Sequence, residues 1–201
     1  ASCAPCVRRV GYGEWRAMLD DKDVRQANLS TAGPRTGRHN DRMPADEAQL
    51  WQLLHSLDDP NHLEFPANYN HQRARARFNQ LVERLNRDFG CQCDVDREVQ
   101  DASFHGRIDV PAAATATGER LVIVISNFGD LAVLAVETPG VWDDEEAAEV
   151  LHPDDTTRIR RALDDLGYTL IPEGPLWKRY DGPGDTLTPD DTWWTRSFDY
   201  L

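Results

Sequence analysis

A chain of 201 residues with 40% apolar and 28% charged side chains has the material for one hydrophobic core, and too little length for two developed cores and a linker. Its formal charge of -13 at pH 7 disfavours nucleic acid and anionic lipid as partners. Apolar runs such as Leu121 to Ile125 are strand-sized, and none approaches the roughly 18 to 20 residues of a membrane-spanning helix.

In chain order, residues 1–42 come first and differ from the rest. They hold eight basic against five acidic side chains, so the remainder is more acidic than the whole. They lack a sustained hydrophobic period, and Thr31-Ala32-Gly33-Pro34-Arg35-Thr36-Gly37-Arg38 is rich in breakers and charge. This segment reads as a basic, weakly structured arm with at most a short helix near Gly13 to Leu19. Met43-Pro44-Ala45-Asp46-Glu47 resembles a natural protein start, so residues 1–42 are expected to be an arm or upstream extension and residues 43–201 a single acidic domain. The opening Ala1-Ser2-Cys3-Ala4-Pro5-Cys6-Val7-Arg8-Arg9 lacks the order of a secretory leader, and four cysteines are too few for a disulfide scaffold. We therefore expect a cytoplasmic protein with reduced thiols.

A first helix is expected over Ala45 to Leu57, where Leu50, Leu53, Leu54 and Leu57 recur at helical spacing. The second is stronger: Ala74, Phe78, Leu81, Leu85 and Phe89 form one stripe that stops at Gly90. Strands are expected in Cys91 to Val99 and Ser103 to Val110, and a hairpin over Glu119 to Val136 turns at Ser126-Asn127-Phe128-Gly129-Asp130. Leu121 to Ile125 is apolar on both sides of its pleat, which predicts a central strand covered on both faces. A third helix begins at Pro153 and ends at Gly167, with Asp154 and Asp155 at its positive end. Tyr168 to Ile171, Leu176 to Tyr180 and Trp193 to Tyr200 read as short strands. The pattern predicts an α+β fold, a mainly antiparallel sheet packed against two or three helices.

Several groups of residues are candidates for chemistry. Cys3, Cys6, Cys91 and Cys93 supply the four thiolates of a structural zinc site, but without the usual double C-x-x-C spacing, and unrelated thiols are the simpler reading. His105 stands out among the histidines because Asp101, Ser103 and Arg107 lie beside it and Asp109 follows; alternate residues place Ser103 and His105 on one strand face. A small hydrolase or metal-dependent enzyme would centre on His105, Asp101 and Asp109. His71 and His152 are simpler as helix-entry residues, and Arg73, Arg75 and Arg77 as a solvated helix face. No phosphate-cradling glycine motif is present in the sequence, and no cofactor is expected.

The last third is rich in rings and carboxylates. Trp142, Trp177, Tyr180, Trp193, Trp194, Phe198 and Tyr200 are interleaved with Asp143, Asp144, Glu145, Glu146, Asp190 and Asp191. Aromatic side chains dominate binding hot spots and charge steers association, so Trp142, Trp177, Tyr180, Trp193, Asp190 and Asp191 are the candidate contacts for a basic protein partner. The alternative is that all these rings pack internally.

Phe89-Gly90-Cys91, Ser126-Asn127-Phe128-Gly129-Asp130-Leu131 and Trp193-Trp194-Thr195-Arg196-Ser197-Phe198-Asp199-Tyr200-Leu201 resemble segments of small acidic actinobacterial proteins, and the preference for Arg over Lys agrees with such a source. In size and acidity residues 43–201 also resemble the immunity proteins that neutralise polymorphic toxins. That resemblance implies a non-enzymatic inhibitor covering a basic partner surface, and transfers no site residues. The remaining expectations are the His105 enzyme and a structural or regulatory domain without a dedicated pocket.

Overall fold

The stripe Phe78, Leu81, Val82, Leu85 and Phe89 is buried along one side of the longest helix, and this face organises half of the molecule. The computed structural model describes residues 43–97, 99–183, 188 and 190–200. The expected arm, its short helix, Cys3 and Cys6 lie outside the described residues.

Helix α1 is Met43–Leu57 and α2 is His71–Phe89, whose cap Asn70 accepts a hydrogen bond from the Arg73 amide at 2.9 Å. Strands β1 (Asp94–Asp96), β2 (Phe104–Val110), β3 (Leu121–Ser126) and β4 (Leu131–Val136) follow as an antiparallel meander. Two helices, α3 (Asp144–Val150) and α4 (Pro153–Asp165), then carry the chain to β5 (Thr169–Leu170), which pairs with β4 in parallel. A crossover of this kind is what parallel pairing requires. One turn of 3-10 helix (Gly174–Trp177) and α5 (Trp193–Phe198) complete the order. The sheet is ordered β1-β2-β3-β4-β5. The mainly antiparallel α+β architecture expected from the sequence is present.

Helices lie on both faces of this sheet. Ile108, Val110, Leu121, Ile123, Ile125, Ala132 and Val136 pack with α2 and with Ile159, Ala162 and Leu163 of α4. On the other face Phe104, Val122, Val124, Leu131, Val133 and Ala135 pack with Leu50 and Leu54 of α1, Leu176, and Trp193, Trp194 and Phe198 of α5. All six residues of β3 are buried, in line with a central strand apolar on both sides of its pleat. Each of its five apolar side chains, Leu121 to Ile125, contributes about 1.5–3 kcal/mol relative to exposure.

Some elements differ from the sequence reading. The described residues contain five α-helices rather than two or three, and α3 was not expected; Asp143 starts it with a reciprocal capping box to Glu146. The strand expected over Cys91 to Val99 contracts to Asp94–Asp96. Leu176 to Tyr180 is not a strand, because Pro175 starts a 3-10 turn there and only Arg179 bridges Thr192. Trp193 to Tyr200 is mainly helix: Thr192 accepts from the Thr195 amide, and Trp193, Trp194, Ser197 and Phe198 are buried at i, i+1, i+4 and i+5. Arg196 is buried as well, so the helix is enclosed on nearly all sides, and the alternation of Trp194, Phe198 and Tyr200 on a pleat does not apply.

Helix α5 is fixed from below by a buried ion pair. The Arg196 Nε donates to Asp58 Oδ1 at 2.7 Å, with both side chains almost fully buried. The other guanidinium nitrogens donate to the carbonyls of Asp59, His62 and Leu63, and the group lies 4.0 Å above the Phe128 ring. The loop after α1, the β3–β4 turn and the C-terminal helix therefore meet at one side chain.

Candidate functional site

Two surfaces gather the residues expected to carry function. The first joins the 3-10 turn to the start of α3. Glu173 accepts hydrogen bonds from the Gly140 amide and from Trp177 Nε1, the latter at 3.0 Å. Asp144 Oδ1 accepts from the Gly174 amide at 3.1 Å, so the two segments are tied at both ends. Gly140 has φ 82°, and a methyl on it would stand 2.7 Å from the Trp177 ring. A side chain there would conflict with both the left-handed backbone and the indole.

Trp177 itself lies flat on Trp194, with ring centroids 4.8 Å apart and planes at 14°. It remains 40% exposed, and Val141, across Gly140 from it, is 46% exposed. An apolar spot of this kind is held rigidly from behind and open in front. Around it stand Asp143, Asp144, Glu145 and Glu146, the cap and first turn of α3, where the helix dipole favours negative charge. Burial raises the Glu173 pKa above the ordinary carboxylate value, against the lowering effect of its hydrogen bonds from Gly140 and Trp177.

The other expected contact residues are distributed unequally. Trp142 is half-buried and packs against the α2-side core. Tyr180 donates its hydroxyl to Asp58 Oδ2 at 2.5 Å and packs on Trp193 at 4.9 Å. Trp193 is 1% exposed, with Nε1 donating to Asp181 at 3.1 Å, so it belongs to the core and is removed from any contact surface. Asp190 is exposed, while Asp191 accepts from the Thr188 amide and is half-buried. Val141 was missed from the sequence; its only local signal is the turn Pro139-Gly140 that precedes it.

The second surface is a cleft of about 210 Å³ between the loop ahead of α2 and the segment joining β1 to β2. Its position follows from a bulge. Phe104 pairs with Ser126 and Gly106 with Ile125, which leaves His105 as the extra residue. His105 and Gly106 consequently both face α2, and Phe78 packs edge-on against the imidazole at 5.2 Å. The Tyr69 hydroxyl and His105 Nδ1 are hydrogen-bonded at 2.8 Å. Burial lowers the His105 pKa below the ordinary histidine value, and the charges of His71, Arg75 and Arg77 lower it further. Burial likewise raises the Tyr69 phenol above its ordinary range.

The expected enzyme constellation is not assembled. His105 and Asp101 line the same cleft. Asp109 lies on the opposite sheet face, beyond the bulge, where Arg107 holds it with Nε at 2.6 Å and Nη2 at 3.0 Å. A regular strand would have kept His105, Arg107 and Asp109 on one face; the inserted residue separates them. Ser103 is not beside His105 either. Its hydroxyl faces α5, donating to the Asp199 and Thr195 carbonyls and accepting from the Asp199 amide. Gly106 within a strand was the available sign of the bulge, while Phe65 and Tyr69 had no local signal.

Cys91 and Cys93 are free, and burial, reinforced by the neighbouring Cys91, pushes the Cys93 thiol up to about 12. A thiol so raised stays protonated and is a poor metal ligand near neutrality. Among the described residues no group of three or more His, Cys, Asp or Glu side chains is arranged to hold a metal ion. No helix among them is long and apolar enough to cross a membrane.

No protein-family model matches the chain, and neither a curated protein nor a solved structure matches it.

Proposed function

We propose that this is a non-enzymatic protein-binding domain of the immunity-inhibitor kind, which covers a basic surface of its partner with the face around Trp177. The observation that carries the reading is the exposed Trp177, stacked on Trp194 and adjoining the exposed Val141 and the carboxylates of α3. A rigid tryptophan loses little side-chain entropy on binding, and a flat ring with a hydrogen-bonded indole is the type of anchor that dominates hot spots. The acidic rim supplies the long-range attraction that would select a basic protein and speed its arrival. The carboxylates of Asp143 and Asp144 are already held by amides, so they would not need to be ordered on binding.

Co-purification at low salt from the native host tests the reading. A basic protein should be retained by the wild-type domain, released by raising the salt, and lost from the Glu145→Lys/Glu146→Lys variant. A domain recovered alone at low salt would remove the proposal.

A further inference from the structure

The cleft at His105 is independent of the Trp177 face. Its walls are aromatic: Phe65 and Tyr69 stack at 5.6 Å, His71 meets both edge-on at 4.7 Å, and Phe78 and Phe104 close the inner side. Its polar groups are asymmetric. The α2 side carries His71 and Arg75, and Arg97, whose Nε donates to Asn79 of α2 at 3.2 Å, adds a second guanidinium there. Glu64 and Asp101 stand on the other side, where the cleft opens onto a shallower hollow bounded by His62 and Leu63. Arg75 makes no ion pair or hydrogen bond with any described residue, although the domain is strongly acidic.

We propose that this cleft binds a small aromatic monocarboxylate, its ring against Phe65, Tyr69 and Phe78 and its carboxylate on Arg75. The size suits a single ring, because the cleft is smaller than the roughly 300 Å³ at the low end of drug-sized pockets. The apolar walls are wasted on an inorganic anion, and a second negative charge would meet Glu64 and Asp101. A neutral ring compound would leave Arg75 without a counter-charge. Where the Tyr69 hydroxyl is the donor to His105 Nδ1, the neutral ring carries its proton on Nε2 and can donate it to the carboxylate.

The test is an NMR titration of the domain with benzoate, following the Tyr69, His71 and His105 ring signals, with benzyl alcohol and inorganic phosphate as controls. Benzoate should give saturable shifts at these rings with a Kd on the order of 1 mM, appropriate to so small a ligand. Arg75→Gln, an exposed change that should leave the amide spectrum intact, should weaken binding roughly tenfold by removing the charged hydrogen bond. Bound carboxylate should also raise the His105 pKa, by the reciprocity of linked equilibria. Absence of saturable shifts with benzoate would overturn the proposal. So would unchanged affinity in Arg75→Gln, or equal binding of phosphate or benzyl alcohol at the same rings.

Discussion

Replacing Arg196 by methionine should be among the most damaging single changes in the domain. The guanidinium is 2% exposed, and it occupies Asp58 Oδ1 and the carbonyls of Asp59, His62 and Leu63. Methionine fills similar volume and keeps contact with Phe128, so the loss is chiefly electrostatic. Among the described residues, Asp58, whose side chain is 1% exposed, would keep only the Tyr180 hydroxyl as a hydrogen-bond donor to a buried carboxylate. Breaking a buried pair by removing one partner costs about 3–5 kcal/mol. For a domain of this size that corresponds to a Tm lower by about 10 °C or more. Urea denaturation followed by circular dichroism measures the change, and the midpoint should fall with the slope unchanged. The double variant Arg196→Met/Asp58→Asn should recover part of the loss, because the uncompensated charge is gone. A loss below about 1 kcal/mol for Arg196→Met would refute the reasoning, since an exposed pair would cost that little.

Other consequences concern the bulge, the α3 cap and His105. Gly106→Ala would place a methyl 2.7 Å from the Phe78 ring and 2.8 Å from the Asp96 carbonyl, and should cost about 1–3 kcal/mol in a denaturant titration. Asp143→Ala removes the acceptor for the Glu145 and Glu146 amides and should destabilise by about 1 kcal/mol, with faster amide exchange confined mainly to α3. His105 should titrate below the ordinary value near 6.5, because its ring is buried and faces His71, Arg75 and Arg77, with Tyr69 at Nδ1 and Glu64 and Asp101 across the cleft. The unfolded chain then takes up this proton first as pH falls. Stability present above about pH 6.5 is lost toward the depressed folded pKa. His105→Gln should flatten that part of the stability–pH curve; an unchanged curve would contradict the assignment.

The elements best read from the sequence are those whose own hydrophobic period matches their packing. The α2 stripe, the β3–β4 hairpin and α4 each bury a face that the residues announce locally. The C-terminal segment failed on the same rule, because Trp193, Trp194, Arg196, Ser197 and Phe198 are nearly all buried and a fully enclosed segment has no polar face to mark its period. The enclosure comes from partners distant in sequence, Asp58 and the loop after α1 among them. The sequence marks Trp177 only as a ring in an acidic setting; its exposure depends on the Glu173 and Gly140 contacts. The cleft was half visible. His105 and Asp101 lie four residues apart in sequence, whereas Tyr69 reaches the cleft from the loop ahead of α2 and Arg75 from α2 itself, and a single inserted residue sends Asp109 to the other face.

The most direct test of the binding account is calorimetric titration of the basic partner recovered at low salt into wild-type domain and Trp177→Ala. Truncating a hot-spot ring costs about 2 kcal/mol or more, a roughly 30-fold weaker Kd, with the α1–α5 fold preserved because Trp177 is an exposed ring on the surface of Trp194. The wild-type affinity should fall steeply with added salt. Equal affinity of the two proteins would contradict the central claim.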